Sequence, residues 1–476
     1  MTEPSSPTRL VVIGGGPGGY PAAFFGAERG MDVTLIDTDA YPGGVCLHRG
    51  CIPSKALLHA AHLIDHARDA AEWGVRFGPP TIDLDKLREH KNRVVSKLVR
   101  GLGSLAKQRD VRYVQGYARF KDAHNVQVEL AEGGEDTIEF DYAIVATGSR
   151  PVTVPPLDIE SDRVLDSTSA LELREIPDRL LVVGGGYIGL ELGSVYSSLG
   201  SAVTVVEMTS SILPGVDRDL ADPLHRRLKS QFEAILLDTR VLEVDEDGQG
   251  LRVKLSGTPS AATERHFSHM LVSVGRKPNT ESVGLESTAV ELDQRGFVVV
   301  DEQRRTGEPS IFAVGDVAGE PMLAHKATHE ARVAVDAIAG DPAAWDPAAV
   351  PAVVFTDPEI AWAGLTEAEA LTQGIDHRVA RFPWAASGRA ATLGRSDGLT
   401  KLVVEERTGR ILGVGIVGPG AGELIAEGVL AIEMGALATD LKFSIHPHPT
   451  LSETLMEAAE TMFGTSPHYI DRKRSR

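Results

Sequence analysis

Only two cysteines occur in this chain of 476 residues, and they stand close together in Gly43-Gly44-Val45-Cys46-Leu47-His48-Arg49-Gly50-Cys51-Ile52-Pro53-Ser54-Lys55. Four residues separate Cys46 from Cys51, so one distorted helical turn can bring the thiols into disulfide range. A zinc site would need further ligands at suitable spacing, and there is no second cysteine pair. A structural disulfide is disfavoured in a reducing compartment. A redox pair and two inert, buried thiols remain. Lys55 lies just beyond Cys51. It reads either as a solvated lysine or as a cation paired with a carboxylate beside an electron acceptor, with Glu191 as the candidate partner. His59, His62 and His66 follow at helical spacing, but no acid or cysteine completes a ligand set, so no metal site is expected.

A second chemical cluster lies near the C-terminus, in Ser444-Ile445-His446-Pro447-His448-Pro449-Thr450-Leu451-Ser452-Glu453. Histidine titrates near neutrality and suits proton exchange with a thiol. A carboxylate such as Glu453, five residues after His448, can fix the tautomer of the ring. A histidine between prolines can equally serve structure alone.

These groups need elements to position them, and the chain carries one such unit twice. Residues 10–13 (LVVI) run into Gly14-Gly15-Gly16-Pro17-Gly18-Gly19, and residues 180–183 (LLVV) run into Gly184-Gly185-Gly186-Tyr187-Ile188-Gly189. Each is a short apolar run followed by G-x-G-x-x-G, a helical stretch and a β-branched run ending in one acid, Asp37 or Glu207. In such units the first glycine (Gly14, Gly184) permits the strand-to-helix turn. The second (Gly16, Gly186) lets a pyrophosphate approach the backbone, and the third (Gly19, Gly189) lets the helix pack on the strand. The helix N-terminus faces the phosphates and the acid accepts from a ribose hydroxyl. One copy is weak evidence. Two copies in register point to two dinucleotides. Glu207 would repel a 2′-phosphate, so the second site is expected to take NAD rather than NADP. A further strand, residues 311–317 (IFAVGDV), ends in Gly315-Asp316, where an acid can accept from a ribityl hydroxyl. With residues 143–150 (AIVATGSR), this places a flavin at the first site and the cysteines beside it.

The composition sets outer limits. A formal net charge of -19 and a sequence pI near 5.3 argue against nucleic-acid binding. The basic cluster Arg472–Arg476 reads as a solvated tail. No apolar run reaches the ~18 residues of a membrane span, and no signal-like segment opens the chain, so a cytoplasmic protein is expected.

The segments GGGPGG, GGVCLHRGCIPSK, ATGSRP, GGGYIGLELG, GRKPN, AVGDV, MLAHKA and HPHPTLSE resemble the pyridine nucleotide–disulfide oxidoreductase family, over nearly the full length. The resemblance implies an α/β fold with two Rossmann-like FAD- and NAD-binding domains and a C-terminal α+β dimerisation domain. It implies an FAD domain over 1–150, an NAD domain over 151–277, a central domain over 278–347 and an interface domain over 348–476. It also implies that Cys46 meets a substrate thiol, that Cys51 faces the flavin, and that His448 is the base, oriented by Glu453, with His446 a bystander. FAD contacts carry over to Gly14, Gly16, Gly19, Asp37, Lys55, Gly116, Thr147, Gly148, Ser149, Asp316, Met322, Leu323, Ala324 and His325. NAD contacts carry over to Gly184, Gly186, Tyr187, Ile188, Gly189, Glu191, Glu207, Val241 and Gly275. The base of this family reaches the cysteines of the other subunit, so a homodimer is implied. The implied reaction is oxidation of a dihydrolipoyl dithiol, carried by a lipoyl-bearing subunit of a 2-oxoacid dehydrogenase or glycine cleavage complex, with reduction of NAD. An NAD(P)H-dependent reductase of another disulfide or of a metal ion is the alternative. Val45, His48 and Arg49 depart from the family pattern, and the two basic residues are expected to favour a thiolate.

Overall fold

The computed structural model describes residues 6–257 and 263–470, so Arg472–Arg476 lie outside the described residues. The first apolar run forms the strand Arg9–Ile13, the centre of a parallel sheet. Its neighbours are Asp32–Asp37 on one side and Tyr142–Val145 on the other, flanked by Arg112–Asp122 and Ile311–Ala313. Both faces of this strand are covered. Leu10 and Val12 pack into one core with the helix Gly19–Glu28, and Val11 and Ile13 pack into another. A continuous apolar run is what a strand buried on both faces requires. The strand Ile311–Ala313 comes from far down the chain and completes this sheet at its edge.

The second run repeats the design. The strand Arg179–Val183 lies between Ala202–Val206 and His269–Val272, all parallel. Leu180 and Val182 face one core, and Leu181 and Val183 face another. An antiparallel meander, Thr239–Asp247, Gly250–Gly257 and Thr263–Phe267, adjoins this unit.

The C-terminal part is a five-stranded antiparallel sheet in the order Ala352–Val354, Ile360–Gly364, Ile411–Val417, Leu399–Glu405 and His377–Pro383. Helices Ala421–Glu433 and Glu453–Phe463 pack on it. Trp384 is fully buried there, and its indole donates to Thr400 Oγ1 at 2.9 Å. A Cβ on Gly418 would lie 2.2 Å from that indole, so the ring occupies space only glycine leaves. The expected α/β architecture with a C-terminal α+β domain is therefore the one observed. Among the described residues, no helix is long and apolar enough to cross a membrane.

Lys401 ties this domain to the second nucleotide unit. Its side chain is 2% exposed and its Nζ lies 2.8 Å from Asp217, 3.0 Å from Asp219 and 2.6 Å from Glu367. The three carboxylates are grouped closely enough to hold a cation, and the ammonium fills that place. Replacing Lys401 by alanine strands charge in a largely buried site. The expected loss is about 3–5 kcal/mol of unfolding free energy, read as a lower urea midpoint with an unchanged slope.

Candidate active site

The first glycine turn has steric reasons for its outer positions. Gly14 sits at φ +102, where a Cβ would come within 2.3 Å of the Ala146 carbonyl oxygen. A Cβ on Gly19 would fall 1.6 Å from the Gly14 oxygen. The second turn matches, with Gly184 at φ +107 and a Gly189 Cβ 2.3 Å from the Gly184 oxygen. The middle glycines differ. A Cβ on Gly16 would meet nothing nearer than 3.8 Å, and one on Gly186 would meet nothing within 4 Å. No protein atom claims that space, so it is free for a ligand to approach the backbone.

Both acids are held by their own turns. Asp37 accepts from the Gly15 amide and from the Asp39 amide at 2.8 Å. Burial pushes its carboxyl up, against the pull of those two amides. Glu207 accepts from the Gly185 amide at 2.7 Å, the Thr209 amide at 2.8 Å and the Thr209 hydroxyl at 2.9 Å.

A cavity of about 550 Å³ opens in front of the first turn. Gly14, Gly16, Asp37, Lys55, Gly116, Thr147, Gly148, Ser149, Asp316, Met322 and Ala324 line it. Gly19 is spent on helix packing and Leu323 caps the following helix, so neither is on the wall. His325 also lies off the wall and turns to the Pro351 carbonyl at 2.7 Å. From the second unit Tyr187, Ile188 and Glu191 reach the same cavity, while Gly184, Gly186, Gly189 and Glu207 stay at their own turn. Gly275 stands at φ +132 and accepts from the Val152 amide at 3.0 Å. Val241 lies in the meander, packed against the adjoining core and away from the cavity.

Cys46 and Cys51 both line the cavity as free thiols. The helix Gly44–Arg49 stops at Gly50, and the helix Cys51–Asp69 starts anew. A Cβ on Gly50 would lie 2.8 Å from the Val45 oxygen, so glycine is needed where the two helices meet. The break turns the thiols toward each other, and they hydrogen-bond. The first proton leaves Cys51. The Cys46 thiol donates to it and, against burial, Lys55 adds positive potential, which together pull Cys51 down to about 7. The same hydrogen bond, with burial, pushes Cys46 up.

Lys55 Nζ lies 2.8 Å from Glu191 Oε2 and 4.5 Å from the centre of the Phe355 ring. The pairing expected from sequence is therefore present. The role expected of His48 and Arg49 is not. Arg49 forms a two-pronged pair with Asp39, at 3.0 and 2.8 Å, and His48 binds the Tyr41 carbonyl at 3.0 Å. Arg49's charge is neutralised locally, so Lys55 is the cation that acts on the thiols. Nothing in the structure explains Val45.

Arg276 and Asn279 line the cavity without having been assigned a role from the sequence. Arg276 donates to the Ser149 hydroxyl at 2.8 Å, and that hydroxyl donates to Asp316 at 2.5 Å. Asn279 is locked to Thr147 by reciprocal bonds of 2.7 and 2.9 Å. Both sit in GRKPN, whose Arg-Lys-Pro strand pairs with Ser149–Pro151. That motif was the available signal.

His448 is elsewhere. Its Nδ1 lies 2.9 Å from Glu453, whose other oxygen accepts the Thr450 amide at 2.7 Å. Burial works to raise Glu453, but the Thr450 amide and the His448 ring outweigh it and hold the carboxyl below its usual range. The His448 side chain is 74% exposed and lines no part of the cavity. His446 instead turns inward to Glu427 at 2.7 Å, and its side chain is 7% exposed.

Removing the Lys55 cation disfavours the Cys51 thiolate, so its pKa rises above about 7. In a Lys55→Met/Glu191→Gln variant, thiolate absorbance of the reduced protein at pH 7 should fall, whereas His48→Asn/Arg49→Val should titrate as the parent does.

Comparison with known proteins agrees with this geometry. The pyridine nucleotide-disulphide oxidoreductase family model matches residues 8–331, and the family's dimerisation domain matches residues 350–459. The dihydrolipoyl dehydrogenase of Vibrio parahaemolyticus is 46% identical over 457 residues, 96% of each chain. That of Haloferax volcanii is 46% identical over 470 residues, 98% of each. Among solved structures, LpdA from Mycobacterium tuberculosis superposes with a TM-score of 0.88 at 29% identity, covering 96% of this chain and 99% of that one. The HOCl-induced flavoprotein disulfide reductase RclA from Escherichia coli reaches 0.85 at 30%, with coverage of 96% and 99%. The chain belongs to the pyridine nucleotide-disulphide oxidoreductase family.

Proposed function

We propose that this protein is a dihydrolipoyl dehydrogenase, which oxidises a protein-borne dihydrolipoyl dithiol through Cys46 and Cys51 and reduces NAD, with FAD between them. The observation that carries this reading is the place of Cys51. It stands in the wall of one cavity that the first glycine turn, Lys55 and residues of the second glycine helix all reach. FAD fits this cavity. With FAD bound, the unobstructed middle glycine, Gly16, would meet the diphosphate, Asp37 would hold the ribose and Asp316 the ribityl chain. Glu207, already held by three donors, leaves no welcome for a 2′-phosphate. When bound, FAD supplies the two-electron link between the dithiol and the nicotinamide.

The protein's own groups account for the thiol chemistry. With its Nδ1–H directed to Glu453, His448 keeps Nε2 free to take a proton from the first substrate thiol. That sulfur attacks Cys46 of the oxidised pair. The Cys46–Cys51 bond breaks, and Cys51 leaves as the thiolate that Lys55 favours. The second substrate thiol attacks the same substrate sulfur, its proton passes to the departing Cys46 sulfur, and the lipoyl disulfide closes. The two electrons of the substrate then reside on the cysteine pair.

His448 stands away from the cysteines of its own chain, so the base comes from a second copy. Met434, Phe443 and Ile445 in the same C-terminal part are exposed, Ile445 at 99%, and offer apolar surface for such an interface. We therefore read the protein as a cytoplasmic homodimer that receives the lipoyl group from a partner of a 2-oxoacid dehydrogenase or glycine cleavage complex. We keep the division at residues 150, 277 and 347 as the working domain plan.

The purified enzyme is expected to form NADH from free dihydrolipoamide and to leave oxidised glutathione with NADPH untouched. Cys51→Ser should abolish dithiol turnover while FAD stays bound. Subunit sharing has its own signature. Neither Cys51→Ser nor His448→Gln homodimers should turn over, but a mixed dimer regains one intact site and about half the parental rate by mass action alone. Mixed dimers as inactive as their parents would show that each chain uses its own histidine.

A further inference from the structure

One buried ionic cluster has no part in the chemistry above. Glu330, in the helix Ala324–Ile338, is fully buried. It pairs with Arg304 at 2.9 Å and with Lys326 at 3.1 Å. Its carboxylate also accepts the Gly315 amide at 2.7 Å. Lys326 donates in addition to the carbonyls of Gly315, at 3.3 Å, and Gly319, at 3.0 Å. Arg304 is held at φ +66, a backbone conformation that costs a non-glycine residue energy. Its carbonyl accepts the Ala313 amide at 3.0 Å, tying it to the edge strand of the first sheet.

A buried carboxylate persists only with close partners, because desolvation costs it several kcal/mol. Here two cations face one acid, more than neutrality requires. Glu330 and Lys326 both bond to the backbone of Gly315, the residue before Asp316. From the other side Asp316 is held by Ser149 and, through it, by Arg276. The turn that carries the cavity's acid is thus clamped from behind by charge and from the front by hydrogen bonds.

We infer that Glu330 is a positioning residue for the flavin site: it fixes the Gly315–Asp316 turn and, with Arg304 and Lys326, sets a surplus buried positive charge behind it. The inference rests on FAD occupying the cavity. A buried positive charge stabilises the added negative charge of the reduced cofactor, so it raises the potential of the bound flavin. Removing Lys326 cancels the surplus and lowers the potential. Removing the charge of Glu330 doubles the surplus and raises it.

The test uses the full-length holoenzyme and spectroelectrochemical titration of its own FAD. Lys326→Met should shift the midpoint to more negative values, and Glu330→Gln to more positive ones. Glu330→Gln should also release FAD on the order of tenfold faster, because Gly315 loses a charged acceptor. A role confined to folding would not move the two potentials in opposite directions. Potentials that stay at the parental value, or that shift the same way in both variants, overturn the inference. Should Glu330→Gln fail to accumulate as folded protein, Lys326→Met decides alone: a negative shift supports the inference, and no shift or a positive one refutes it. A parental protein that purifies without FAD would sink the cofactor reading instead.

Discussion

The pair between Lys55 and Glu191 joins both nucleotide units to the C-terminal sheet. Lys55 belongs to the helix that begins at Cys51, and Glu191 to the helix that follows the second glycine turn. The other oxygen of Glu191 accepts the Phe355 amide at 2.9 Å, so the C-terminal domain is fastened to the same carboxylate. Glu191 is 3% exposed, and an acid so buried requires its partners. The cation it holds lowers the Cys51 thiol. One contact therefore fixes where the two nucleotide units meet and, after the hydrogen bond from Cys46, adds the Lys55 charge that favours the thiolate between them.

Around that pair the protein uses charge sparingly. The basic side chains nearest the cysteines in sequence are diverted, Arg49 to Asp39 and His48 to a carbonyl. Lys55 is left to act on both thiols, and the hydrogen bond between them decides which one keeps its proton. Cys51 becomes the thiolate and Cys46 keeps its proton, an asymmetry that a pair of equivalent thiols would lack. The two C-terminal histidines follow the same economy. His448 has a carboxylate partner, while His446, two residues earlier, is withdrawn into a separate pair.

The two glycine turns repeat one local design in two surroundings. In each, the acid at the end of the second strand accepts an amide from the turn itself, so strand, turn and acid form one closed unit. The difference lies in what surrounds them. The first turn opens onto the cavity with the cysteines, and the second lies outside it and sends only its helix toward it.

Much of this was legible in the sequence because the contacts are local. A glycine turn and its acid, or His448 and Glu453 five residues apart, are fixed by the geometry of one short unit. Lys55 and Glu191 could be guessed as partners only because each adjoins a motif, although 136 residues separate them. Ser149 with Arg276, 127 residues apart, carried only the signal of their two motifs, and Arg304 with Glu330 was not legible, since Arg304 lies outside every motif. Arg49 misled for the opposite reason. Its charge was legible, but the carboxylate that cancels it faces it only once the chain has turned. Residue types and short spacings thus determined the chemistry this protein can perform. The tertiary structure decided which charges act, because a charge acts on the thiols only where folding leaves it uncancelled beside them.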